Sequence, residues 1–122
     1  MPGLRESLGQ ILEVEGVRTV ALIDIATGMV VQSAGTGGER FPGTAADIAD
    51  EARLARAALG RGYQDDELEE IALTATGSLH LSRILDTSLG DGLLLFVDLD
   101  RARSNVALAS LMVSQVASTV LA

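Results

Sequence analysis

The sequence predicts an α/β fold of the α+β kind: a central, five-stranded, mostly antiparallel sheet in the order 2-1-5-4-3, with the first and last helices on one face and the middle helix on the other. Two stretches lead there. Val17 to Ile25 and Leu93 to Leu99 are apolar at odd and even positions alike. Successive strand side chains point to opposite faces, so both faces of these strands need cover and both strands belong at the sheet's centre. The third observation is the alanine-rich helical segment that separates them, which has to carry the chain from one sheet edge to the other. Four strand spacings come to about 19 Å and a helix of about 18 residues spans about 27 Å, so one oblique crossing suffices.

Each element has its own warrant. Leu4, Leu8, Ile11 and Leu12 recur at helical spacing, and Gly16 is placed to end that helix as its C′ residue. The first strand follows at Val17. Asp24 to Met29 reads as a hairpin turn in which Gly28 supplies positive φ, before a second strand from Met29 to Ala34. Gly35-Thr36-Gly37-Gly38 reads as a loop. Beyond Pro42-Gly43, Thr44 is the expected N-cap of a middle helix reaching about Arg61, with Asp47 near its positive end. Leu68 to Thr76, Leu79 to Leu85 and Gly92 to Leu99 form a three-stranded meander, parted by Gly77-Ser78 and by the loop Asp86 to Asp91. Asp100 is the expected cap of a closing helix whose apolar stripe is Val106, Ala109, Val113, Val116 and Val120.

At 122 residues the chain is one domain, 1–122, large enough to bury a core without a disulfide or metal staple. Its core is aliphatic, and Phe41, Tyr63 and Phe96 are too few to stack bases. Seventeen acidic against nine basic residues give a net charge of −8, which repels a phosphate backbone and argues against nucleic acid as a partner. The absence of Cys and of an early apolar run fits the cytoplasm. Ser104 to Ala122 carries no charge, but Ser104, Asn105, Ser110, Ser114, Gln115, Ser118 and Thr119 interrupt it, so membrane insertion is not expected.

No catalytic constellation stands up. Asp98-Leu99-Asp100 at a strand end resembles the Asp-x-Asp of haloacid-dehalogenase-type phosphatases, yet Arg101 and Ala102 follow where a small hydroxyl residue is needed, and too little chain remains for that fold. His80 has no second His or Cys to share a metal. The glycine loop lacks the Gly-Lys-Ser/Thr of a phosphate loop, and Asp86 to Asp91 lacks the alternating carboxylates of a calcium loop. Serines have no base to activate them. No cofactor is expected, and the chain reads as a binding module, not an enzyme.

Two surfaces invite a partner. Ala45, Ile48, Ala52, Ala55 and Leu59 form the sheet-facing stripe of the middle helix, while Ala46, Asp50, Leu54, Ala57 and Arg61, with Arg53 beside them, form an outer stripe that is small and partly apolar. Two copies packed antiparallel near Ala55 and Arg56 would set Asp50 against the mate's Arg61 and Leu54 against its Ala57, as an isologous dimer requires. The third strand is a sheet edge in which Ile71, Ala72, Leu73 and Thr74 carry no Pro or charge to blunt pairing. Glu69 and Glu70 would not oppose each other in a pair centred near Ala72.

The order helix, two strands, helix, three strands, helix, with Gly16-Val17 entering the first strand, a Gly28 hairpin, and Gly92 to Val97 running through Asp100 into a helix with Asn105, Ala107 and Ala109, resembles the roadblock family of dynein light chains. The likeness spans Leu4 to Leu121, and Thr27-Gly28 stands where Asp-Gly is commoner. Longin and profilin-like domains share the layering. The resemblance implies a homodimer built through the third strand and middle helix, and a bacterial branch that regulates small Ras-like GTPases, in some members by repositioning the GTPase's own residues. Arg53, Arg56 and Arg61 are read as structural or docking residues in preference to an arginine finger. The expected function is thus a homodimeric regulator or scaffold for a small Ras-like GTPase. A small-molecule sensor domain and an architectural subunit of a larger complex are the alternatives.

Overall fold

Alternation along the two doubly apolar strands decides the layering. The computed structural model describes residues 3–36, 41–62, 65–85 and 92–120. Its elements are α1 (Leu4–Leu12), β1 (Val17–Asp24), β2 (Val30–Gly35), α2 (Phe41–Gly62), β3 (Glu70–Thr74), β4 (Ser78–Leu85), β5 (Leu93–Asp100) and α3 (Val106–Val120). The sheet runs β2-β1-β5-β4-β3 with every neighbouring pair antiparallel. In the central pairs Ala21 stands opposite Phe96, Leu22 opposite Leu95, and Leu81 opposite Val97.

Two cores result. Val20, Leu22, Leu81, Leu95, Val97 and Leu99 point to one face and meet Leu8 and Ile11 of α1 with Ala109, Val113 and Val116 of α3. Ala21, Ile23, Leu94 and Phe96 point to the other and meet Ala45, Ile48, Ala49 and Ala52 of α2. Ala45, Ala49 and Ala52 are fully buried, and their small side chains let the helix axis lie close to the sheet. Ala55 and Leu59 are only half-buried, and Ala49 joins the predicted stripe in their stead.

Several expected ends move. The C-cap of α1 is Glu13, and Gly16 instead lies in the turn entering β1, where its carbonyl accepts from the Asp100 amide at 2.7 Å. Thr44 does not cap α2, which begins at Phe41; Pro42, whose fixed φ suits a first helical turn, marks the true start. The helix ends at Gly62, one residue beyond the expected Arg61, with Gly60 in its last turn. Asp100 caps a short 3₁₀ turn, Arg101–Arg103, accepting from the Ala102 amide at 3.1 Å. The cap of α3 is Asn105, whose Oδ1 accepts from the Leu108 amide at 3.0 Å. Gly28 has φ +74, as the hairpin requires. Gly37-Gly38 and the Asp86 to Asp91 loop lie outside the described residues. Among the described residues no helix is long and apolar enough to cross a membrane.

The path of α2 leaves part of the sheet bare. A Cβ on Gly28 would lie 3.0 Å from Ala46 Cα, so the early part of the helix is seated against the hairpin. Arg53 donates to the Ile25 carbonyl, and Leu59 and Gly60 border the segment that leads to β3. The helix therefore crosses one end of the sheet, from the β1–β2 hairpin to the start of β3. Register places His80 and Asp98 further along the same face than Phe96, beyond its cover.

Candidate interaction surface

A sheet-covering helix with small residues on both sides has little to give solvent, and the outer stripe of α2 fits that description. Ala46, Asp50, Leu54, Ala57 and Arg61 are all exposed, Leu54 at 71%, the largest exposure of any bulky apolar side chain described. Arg53 is half-buried and forks between the Ile25 carbonyl and the Asp50 carboxylate. It thus fastens α2 to the β1–β2 turn. Asp50, expected to meet Arg61 of a second copy, already has Arg53 as a neighbour in its own chain. A carboxylate has two oxygens and can accept from both.

β3 pairs only with β4, through Glu70 to Thr74 against Arg83 to Leu79. Ile71 is half-buried against the α2-side core, whereas Ala72, Leu73 and Thr74 are exposed, Leu73 at 47%. The outward edge of β3 thus offers amides and carbonyls that pair with no other strand among the described residues, beside an apolar side chain. At its start Glu70 Oε1 is buried without a hydrogen-bond partner among the described residues.

Between the end of α2 and the approach to β3 is a cavity of about 300 Å³ lined by Arg56, Leu59, Gly60, Asp66, Glu67 and Leu68. This is at the small end for a small-molecule site, and its lining is more charged than such sites usually are.

The bare part of the sheet holds a cluster that local sequence patterns do not reveal. Arg18 Nε donates to Asp98 Oδ2 at 3.0 Å and Nη2 to Oδ1 at 2.9 Å, a bidentate pair, while Nη2 also reaches Ser78 Oγ at 2.9 Å and the Leu99 carbonyl at 3.2 Å. His80 Nε2 lies 3.1 Å from the same Asp98 Oδ1, with its ring edge-on to Phe96 at 5.1 Å. Both residues suspected of chemistry are thus held by their neighbours across three strands. Asp98 raises the pKa of Arg18, first through the side-chain hydrogen bond and then by charge, against the opposing effect of burial. A raised value means that the pair's stabilisation is complete below the ordinary arginine range and fades only above it, so alkaline pH in the working range leaves it intact. The signal was present in the sequence: once the first and fifth strands are neighbours, Arg18 and Asp98 are opposite charges on adjacent strands. Arg18→Ala is expected to lower stability by about 1–3 kcal/mol, because it strands a half-buried carboxylate. Arg18→Lys, which keeps the charge but loses the fork, should recover only part of that loss in a thermal melt.

No protein-family model matches the sequence, and no curated protein matches it significantly. Solved structures do. A Roadblock/LC7 domain from Streptomyces avermitilis superposes with a TM-score of 0.83 at 17% identity, over 98% of this chain and 95% of that one. An MglB described as having a tetrameric arrangement gives 0.80 at 19% identity, over 96% and 84%. The gliding protein MglB from Thermus thermophilus gives 0.79 at 18% identity, also over 96% and 84%. Backbone agreement of this order across nearly the whole length, with the strand order and helix placement described above, establishes that the chain has the Roadblock/LC7 fold.

Proposed function

We propose that this chain is a cytoplasmic, homodimeric regulator or scaffold for a small Ras-like GTPase, acting by surface contact and without an active site of its own. The observation that carries the reading is the pair of unfilled surfaces on one side of the molecule: the β3 edge, with Leu73 exposed and Glu70 Oε1 unsatisfied, and the apolar outer stripe of α2. Ile71, Ala72, Leu73 and Thr74 would pair with the same residues of a second copy to continue the sheet. The two α2 helices would then form a platform in which Ala46, Asp50, Arg53, Leu54, Ala57 and Arg61 meet the mate or the GTPase. Solved relatives of this fold include MglB proteins, one described as a gliding protein and one as having a tetrameric arrangement, which agrees with a role in assembly. Any stimulation of hydrolysis would come from repositioning the GTPase's own groups.

The test pairs the purified chain with GTPases encoded beside its gene. Co-purification and an altered GTP hydrolysis rate are expected, and Leu54→Glu should weaken binding at least about tenfold, because a charge replaces an apolar contact. Absence of both binding and any rate change with every neighbouring GTPase would overturn the GTPase assignment.

A further inference from the structure

Hydrogen bonds at the two ends of β3 fix which of its backbone groups face outward. The Ile84 amide donates to the Glu69 carbonyl at 2.8 Å and the Ala75 amide to the Ser78 carbonyl at 2.9 Å, so the odd-numbered residues turn their N–H and C=O groups toward β4. Glu70, Ala72 and Thr74 therefore turn theirs away from the sheet. Their side chains also share a face, since they stand opposite Arg83, Leu81 and Leu79, and Leu79 and Leu81 belong to the core beneath α1 and α3. On that face Ala72 and Thr74 are exposed, and Glu70 Oε1 is buried without a hydrogen-bond partner among the described residues. Arg83, its neighbour across the ladder, leaves that oxygen unbonded.

On the reading that copies pair through β3, we infer that the register of the pair is fixed with its two-fold axis at Ala72, and that Thr74 of the second copy donates the hydrogen bond that Glu70 Oε1 lacks. Only this axis sets all the outward groups of one strand against all those of the other: Ala72 meets Ala72, and Glu70 meets Thr74 in both directions. An axis at Ile71 would leave Thr74 over Leu68, and one at Leu73 would leave Glu70 over Thr76, in each case beyond the strand. At a directly paired, hydrogen-bonded position the α-carbons are about 5.5 Å apart with side chains on one face, so the Thr74 hydroxyl reaches the Glu70 carboxylate. The contact occurs twice by symmetry. It sets a neutral donor against each carboxylate, so two acidic chains meet without opposing Glu70 to Glu70. The other sheet edge offers no equal seat: β2 slips register opposite Leu22 and Ile23 and ends at Gly35 with φ +104, and a bulge blunts an edge.

Charge exchange across the seam tests this register. Thr74→Glu sets carboxylate against carboxylate in both contacts and should raise the dissociation constant of the dimer, read by sedimentation equilibrium, at least about tenfold. Adding Glu70→Lys turns both contacts into ion pairs and should bring the constant back to within about threefold of wild type. A second arm needs no doubly substituted chain: mixed in equal amounts, Glu70→Lys and Thr74→Glu chains should form heterodimers in preference to either homodimer. A Thr74→Glu chain that dimerises like wild type, or a loss that neither the added Glu70→Lys nor the mixture restores, would overturn the register. A monomeric wild-type chain would overturn pairing through β3 itself. A dimer that Leu73→Lys disrupts but charge exchange does not restore would leave that pairing in place and remove only the Glu70 contact with Thr74.

Discussion

Replacing Leu73 with lysine is expected to turn the proposed dimer into a monomer. Leu73 is 47% exposed on a strand that lies at the sheet edge among the described residues, and on its own sheet it stands opposite His80. In an antiparallel pair centred near Ala72, each Leu73 would lie beside Ile71 of the second copy. Lysine there must either bury its ammonium or force the strands apart, at a cost of about 3 kcal/mol, which weakens dimerisation about 100-fold. The fold itself should be indifferent, because an exposed edge position tolerates lysine and natural edges use it. A monomeric mass with an unchanged melting curve is the expected result. An unchanged dimer would mean that copies meet elsewhere.

Gly35→Ala is expected to be the most damaging small substitution. Gly35 ends β2 at φ +104, where a β-carbon would lie 2.2 Å from the Arg18 carbonyl oxygen and 3.0 Å from Thr19 Cα. Neither neighbour is a flexible side-chain tip. The Arg18 carbonyl also accepts from the Thr36 amide at 2.9 Å, and Arg18 is the residue that forks onto Asp98. Strain at such a φ costs about 1–3 kcal/mol and overpacking about as much again. The sum should lower the melting temperature by about 10–20 °C for a domain of this size. Gly77→Ala is the matching control, since no atom lies within 4 Å of its β-carbon position.

The sheet order was legible because burial on two faces leaves a unique signature. Val20 with Ala21, and Leu94 with Leu95, are apolar neighbours pointing opposite ways, and only central strands can bury both. The middle helix was legible for the same reason, since Ala45 and Ala52 recur on one side of it. Caps were less so. Asp100 and Asn105 are both good caps, and the local pattern does not show that a 3₁₀ turn separates them, so the aspartate reads as the cap of the helix that the asparagine caps. Thr44 misled similarly, because hydroxyl residues also sit within first turns. Gly35 read as loop punctuation, although its role is to let β2 close upon β1. The Arg18–Asp98–His80 cluster joins residues up to 80 positions apart, which hydrophobic periodicity alone does not bring together. On α2 the expected outer residues are exposed, whereas Ala55 and Leu59 of the expected inner stripe are only half-buried, Ala49 is buried in their stead, and helical spacing gives no sign that Arg53 is tied to the Ile25 carbonyl.

Light scattering on the purified chain at tens of micromolar tests the central claim most directly. The account predicts a species of about twice the 12.7 kDa chain mass. A single species at 12.7 kDa would contradict it, since the open edge of β3 and the apolar stripe of α2 would then be stable in water without a mate.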